Sequence, residues 1–201
     1  MYKVLMQFRS RSGKQNGFSM VELVVVLAIL MCISAYAVPN FLVAIANFRL
    51  RSGMSSLSSI LQNCRMMAIK QNKNFSVHFT VMANGPVAYI KPSTDTGGIS
   101  NTDPTAQLGA PVTMNQNPTG TGAPTQMDAS FLGFDPLTTD PTFNPRGIPC
   151  TYSSGTCTAP KGFVFYFRGA RPLGSDGWAA VTISPAGHVK TWMWDGGRWT
   201  N

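Results

Sequence analysis

The sequence predicts an α+β fold, a long N-terminal helix packed on a mainly antiparallel β-sheet head. Three observations predict it. An almost unbroken apolar run, Leu23-Val24-Val25-Val26-Leu27-Ala28-Ile29-Leu30-Met31-Cys32-Ile33, opens the helix. A stripe at steps of four and three (Leu50, Met54, Leu57, Leu61, Cys64, Ala68) continues it. Alternating runs bounded by turn residues then supply strands.

In chain order, residues 1–17 read as a leader. Lys3, Arg9, Arg11 and Lys14 give it four positive charges and no acid. Residues 18–38 form a segment apolar on all faces, as a membrane span requires. About twenty residues at ~1.5 Å each cover a hydrocarbon core. Pro39 removes a backbone donor and is expected to kink or locally open the helix. Residues 39–74 form the amphipathic half, with Ser55, Ser56, Ser58, Ser59, Gln62 and Asn63 on the faces away from the stripe. Such a stripe needs an apolar surface to lie on.

That surface is expected to be a sheet within a head spanning 75–201. Phe75-Ser76-Val77-His78-Phe79-Thr80-Val81 alternates cleanly, and Asn84-Gly85 signals a tight turn into Val87-Ala88-Tyr89-Ile90. Phe163 to Phe167 reads as a third strand. Ala179 to Ile183 and His188 to Trp194 flank the turn Ser184-Pro185-Ala186-Gly187, and Asp195-Gly196-Gly197 turns the chain again toward Trp199. Between Pro92 and Pro160 lie ten of the chain's fourteen prolines and few apolar runs. The stretch at about 92–160 therefore reads as an insertion on the exposed face of the head, with Phe131 to Phe134 and Leu137 able to pin it locally.

One residue stands out against the apolar run. Glu22, the chain's only glutamate, sits at its head. A carboxylate carried into lipid costs about 2.5–3.5 kcal/mol on insertion scales and is usually functional and partnered. The net charge of +8 falls to +4 once the leader's four positives are removed. The remainder is spread without a basic run, which argues against a clustered nucleic-acid footprint.

The N-terminus admits two readings. A basic region, an apolar stretch and Ala35-Tyr36-Ala37 fit a secretory signal peptide. That reading places Glu22 inside the apolar stretch and leaves Phe41, Leu42, Val43 and Ile45 continuing beyond it. Both readings keep the basic leader inside and export the rest. Export permits disulfides. Cys150 and Cys157 bracket the turn Thr151-Tyr152-Ser153-Ser154-Gly155-Thr156 and are the natural pair, contributing about 2.5 kcal/mol in the chain-entropy model. Cys32 lies in the apolar segment and Cys64 on the stripe. No Cys or His stands near the pair in sequence to complete a metal site, and neither a metal nor a cofactor is expected.

Gly17, Phe18, Glu22 as the fifth residue from Phe18, and Pro39 as the twenty-second together resemble the type IV pilin family. Leu57, Leu61, Cys64-Arg65, Ala68-Ile69 and Asn72, followed by the strand from Phe75, resemble its GspH/FimT minor pilins and pseudopilins. That group has Ala-Arg-x-x-Ala at the end of its long helix, and Cys64 replaces the first alanine here. The resemblance implies the type IV pilin fold and a structural subunit of a type IV pilus or type II secretion pseudopilus. Its partners would be a prepilin peptidase/methyltransferase, other pilin subunits and the inner membrane, with the head in the periplasm. Cleavage would follow Gly17, and Phe18 would be N-methylated. Glu22 would pair with the Phe18 amine of a neighbouring subunit. Pro39 would mark where the helix loosens as the subunit leaves the bilayer.

Other functions have weaker support. His78 and His188 belong to no recognisable nucleophile motif, so no catalytic residue is assigned and no enzyme is expected. Some FimT-like proteins bind DNA through C-terminal arginines, which makes Arg168, Arg171 and Arg198 the candidates here, the last beside Trp194 and Trp199. Major pseudopilins bind calcium in a C-terminal loop, but Asp128, Asp135, Asp140, Asp176 and Asp195 show no EF-hand spacing.

Overall fold

The computed structural model describes residues 19–109, 112–115, 118, 123–127, 134–136, 140–171 and 174–201. The chain divides into two compact units, 1–38 and 39–201. Helix α1 (Met20–Gln71) is 52 residues long. Its hydrogen-bond ladder starts where the Leu23 N–H donates to the Ser19 carbonyl at 3.1 Å. The helix is unbroken through Pro39, so of the kink or local opening expected there the opening is absent. A proline removes one N–H from the ladder, and the bonds on either side persist.

In the second unit α1 buries the predicted stripe, Leu50, Met54, Leu57, Leu61, Cys64 and Ala68, with Ile60 and Gly53 beside it. Gly53 has a specific reason to be glycine. A Cβ there would stand 2.5 Å from the Leu108 carbonyl oxygen, so only a bare Cα lets that segment lie against the helix. The helix ends in a left-handed residue, Asn72 at φ 52°. The Lys73 N–H then reaches back to the Ala68 carbonyl at 3.2 Å, a bond that caps the last turn.

The strands that follow are β1 (Phe75–Met82), β2 (Gly85–Pro92), β3 (Thr105–Gln107), β4 (Val112–Asn115), β5 (Phe134–Pro136), β6 (Thr142–Phe143), β7 (Pro149–Ser153), β8 (Thr156–Pro160), β9 (Gly162–Gly169), β10 (Gly177–Ile183), β11 (Val189–Trp194) and β12 (Trp199–Thr200). They form two sheets where the sequence reading expected one. The first runs β3-β2-β1-β6-β7-β8, the second β12-β11-β10-β9-β4. Among the described residues every strand pairing is antiparallel except β5 beside β9. Phe75, Val77 and Ile90 of the first sheet and Phe163, Phe165, Phe167 and Val181 of the second meet the helix stripe in one core.

The stretch 92–160 is also richer than an insertion on the exposed face. Its described residues extend both sheets, from β3 through β8. These strands are two to five residues long and rich in Thr, Cys and Pro, too short to show a period. Their pairing is imposed by neighbours already in place. Phe131 and Leu137, expected to pin the stretch, lie outside the described residues. Cys150 and Cys157 are disulfide-bonded across β7 and β8.

One end of the outer face of the first sheet, at Ser76, Lys91 and Thr142, is buried through polar contacts. The Lys91 side chain, 6% exposed, reaches Asp95 at 3.0 Å and Asp103 at 3.8 Å. The bond from Lys91 to Asp95 raises the ammonium pKa. Asp95 is held below the usual carboxylate range by the Gly97 N–H and then by Lys91. Ser76 continues the network, 2.7 Å from both Ser93 and Thr142.

Arg65 joins the helix to a turn from each sheet. Its Nη1 donates to the Gly187 carbonyl at 3.0 Å, in the turn between β10 and β11. A Cβ on Gly147, in the turn between β6 and β7, would sit 3.0 Å from Arg65 Nε. One on Gly187 would sit 2.8 Å from the Gly147 carbonyl oxygen and 3.1 Å from Arg65 Cζ. Both glycines have positive φ, 74° and 81°. Gly187→Ala should therefore destabilise the head by ~2 kcal/mol, read as a lower denaturant midpoint. Gly98→Ala, where a Cβ meets nothing within 4 Å, should stay within ~0.5 kcal/mol of the parent.

Candidate functional site

Among the described residues the helical segment of the first unit is apolar and exposed. Thirteen large side chains between Met20 and Val38 are exposed, including Val24, Leu27, Leu30 and Ile33, each about half accessible. Completing the burial of such side chains is worth roughly 1 kcal/mol each. Together that is on the order of 10 kcal/mol, comparable with the whole stability of a domain. The segment is long and apolar enough to cross a membrane. Glu22 lies in the first turn of α1, where a carboxylate meets the positive end of the helix dipole. Gly17 and Phe18 lie outside the described residues.

The three arginines considered for nucleic acid are each engaged within the head. Arg168 on β9 forms an ion pair with Asp176, and its guanidinium lies 5.9 Å from the centre of the Trp178 ring. Arg171 donates to the Asn47 side-chain oxygen at 2.7 Å, and its guanidinium packs on Gly177, whose Cβ would sit 3.0 Å away. Only Arg198 extends outward, 82% exposed and 3.3 Å from Asp195. Asp195 is held below the usual carboxylate range by the N–H groups of Arg198 and Gly197 and by the Arg198 side chain. It therefore caps its own turn.

The nearby tryptophans serve packing. Trp199 Nε1 donates to the Thr125 carbonyl at 2.9 Å, and Trp192 Nε1 to Thr182 Oγ1 at 2.9 Å. The Met127 N–H donates to the Tyr166 hydroxyl at 2.9 Å. Residues 123–127 thereby cover the outer face of the second sheet, beside a small cluster of Met127, Val164, Tyr166 and Ala180.

One pairing was invisible in sequence. His78 Nδ1 stands 2.6 Å from Asp140, with the ring stacked near Tyr89 at 5.3 Å between centroids. A histidine oriented by a carboxylate suggests a catalytic base. Its Nε2, the atom that would act, is buried with no hydrogen-bond partner among the described residues. The pair reads as structural. Asp140 and Asp176 are thus both engaged, while Asp128 and the Asp135 side chain lie outside the described residues. Among the described residues no three His, Cys, Asp or Glu side chains converge on a metal position. Cys64 is buried on the stripe, and burial pushes its thiol pKa up, so it stays protonated and inert.

Residues 12–38 match the model of the prokaryotic N-terminal methylation motif. No curated protein matches the chain. Among solved structures it is similar to the type IV minor pilin FimU of Pseudomonas aeruginosa in two crystal forms. In one, identity is 17% over 76% of this chain and 98% of that one, with a TM-score of 0.41. In the other, identity is 16% over 77% and 95%, with a TM-score of 0.41.

The arginine geometry separates two substitutions. Arg171→Ala should lower stability by ~1–2 kcal/mol, because it strips the donor from the half-buried Asn47. Arg198→Ala should stay within ~0.5 kcal/mol. Thermal denaturation of the purified detergent-solubilised chain distinguishes them.

Proposed function

We propose that this chain, whose N-terminus is type IV pilin-like, is a structural subunit (a minor pilin or pseudopilin) of a type IV pilus or type II secretion pseudopilus. The observation that carries the reading is the methylation motif over residues 12–38, which takes in the start of a helix that is apolar and exposed among the described residues. The chemistry is then done to the protein. A peptidase cuts after Gly17, and the new amine of Phe18 is methylated. Before assembly the helix spans the inner membrane once, with the head in the periplasm. In the filament the same apolar faces bundle with those of neighbouring subunits.

Glu22 gains its role from that change of surroundings. In a dry helix bundle an unpaired carboxylate is expensive. The Phe18 amine of a neighbour supplies the opposite charge and fixes axial register, the best-attested use of a buried ion pair. A DNA-binding reading draws no support from the head, because Arg168 and Arg171 are held by Asp176 and Asn47.

Mass spectrometry of the mature chain tests the reading. The expected N-terminus is a methylated Phe18, and a chain beginning at Val38 would sink the proposal. Glu22→Leu should be cleaved normally yet enter filaments at least ~10-fold less, since loss of one buried partner strands the other. Normal incorporation of that variant would remove the pairing argument.

A further inference from the structure

We infer that the part of the head around Asn47 to Arg51 of α1 is a basic collar that seats on anionic phospholipid headgroups before the subunit enters a filament. The inference rests on the proposed membrane span. From Leu23 to Phe48 the chain has 26 residues without a charge. As helix these extend about 39 Å, more than the ~30 Å of hydrocarbon in a bilayer. The first cations beyond that run are Arg49 and Arg51, at the depth where headgroups begin.

The side chains there are arranged around the helix. Leu50 is buried against Gly169, whose Cβ would lie 3.6 Å from the Leu50 side chain. At roughly 100° per residue, Arg49 and Arg51 fall on the two flanks of that contact, and Phe48 points away from it. Phe48 is 73% exposed, and among the described residues no ion pair involves Arg49 or Arg51. Two further arginines lie close by, Arg168 on β9 and Arg171 just after it. Arg171 is tied to Asn47, and Arg168 is 48% exposed. With Arg168 neutralised by Asp176 and Arg171 held by Asn47, Arg49 and Arg51 carry the uncompensated charge of the collar.

An exposed phenylalanine between arginines is poorly placed in water and well placed at an interface. Aromatic rings favour the headgroup level, and guanidinium groups bind phosphate oxygens in forked pairs. Charge complementarity and continuity with the uncharged run therefore select an anionic lipid surface as the occupant.

The test uses the full chain with a benzophenone amino acid at position 48. It is reconstituted in vesicles of equal parts phosphatidylcholine and phosphatidylglycerol, irradiated, and its adducts are identified by mass spectrometry. The expected adducts are phospholipid, with phosphatidylglycerol favoured about fivefold for each arginine engaged. Arg49→Gln with Arg51→Gln should bring that preference to parity while leaving the melting temperature unchanged. Lipid adducts without preference in the parent would overturn the collar, and so would adducts predominantly to a second copy of the chain. Either result in a chain that resists alkaline extraction leaves the spanning reading intact. Extraction by alkaline carbonate would remove the spanning reading and the collar together.

Discussion

The head depends on one stripe of a helix. Among the described residues no strand of the first sheet pairs with a strand of the second, so backbone hydrogen bonding does not hold the sheets to each other. Leu50, Leu57, Leu61, Cys64 and Ala68 do so, by contacting aromatic and β-branched residues from both. A buried leucine in such a seam contributes ~2–5 kcal/mol by truncation, and three or four of them exceed the net stability of a typical domain. The two sheets also touch directly, Phe79 of β1 lying 5.6 Å from Phe165 of β9 between ring centroids, and the helix stripe completes that shared core. Arg65 reinforces the far end of the seam by engaging the glycine turns of both sheets.

What was legible in the sequence was what has a period or a local turn. The apolar run, the stripe, the β1–β2 hairpin and the strands around Ser184-Pro185-Ala186-Gly187 all carry repeating patterns, and the structure has them where expected. The disulfide was legible because its cysteines bracket a short turn. The division into two sheets was not, since alternation shows that a strand has a buried face but not which neighbour it pairs with. The strands between residues 105 and 160 were hidden by their brevity. Phe143 is fully buried in a strand of two residues, and no window can show a period over that length.

The functional geometry failed to show for a related reason. Arg65 stood out beside Cys64 and Ala68, yet its partners Gly147 and Gly187 are far off in sequence. His78 and Asp140 are 62 residues apart. Arg168 and Arg171 read as candidate DNA contacts about one hairpin from the C-terminal segment, and the fold gives each a neutralising or neutral partner. Proximity in sequence overstates how available a charged side chain is, because a long flexible arginine finds any acceptor within reach.

The distribution of acids carries the argument one step further. In the head, Asp95, Asp103, Asp140, Asp176 and Asp195 each contact a basic side chain. Every one of these contacts lies within the chain. Glu22 differs in kind. It stands at the start of a segment whose large apolar side chains are exposed, and among the described residues no ion pair involves it. A carboxylate at such a position is tolerable while water or headgroups reach it, and becomes costly once the apolar faces around it close. A partner for it must therefore come with whatever closes those faces. If the cover is lipid alone, the charge opposes insertion. If the cover is a bundle of identical helices, and cleavage after Gly17 frees the Phe18 amine as proposed, each helix brings an amine at its start and the acid favours the register that brings the two together.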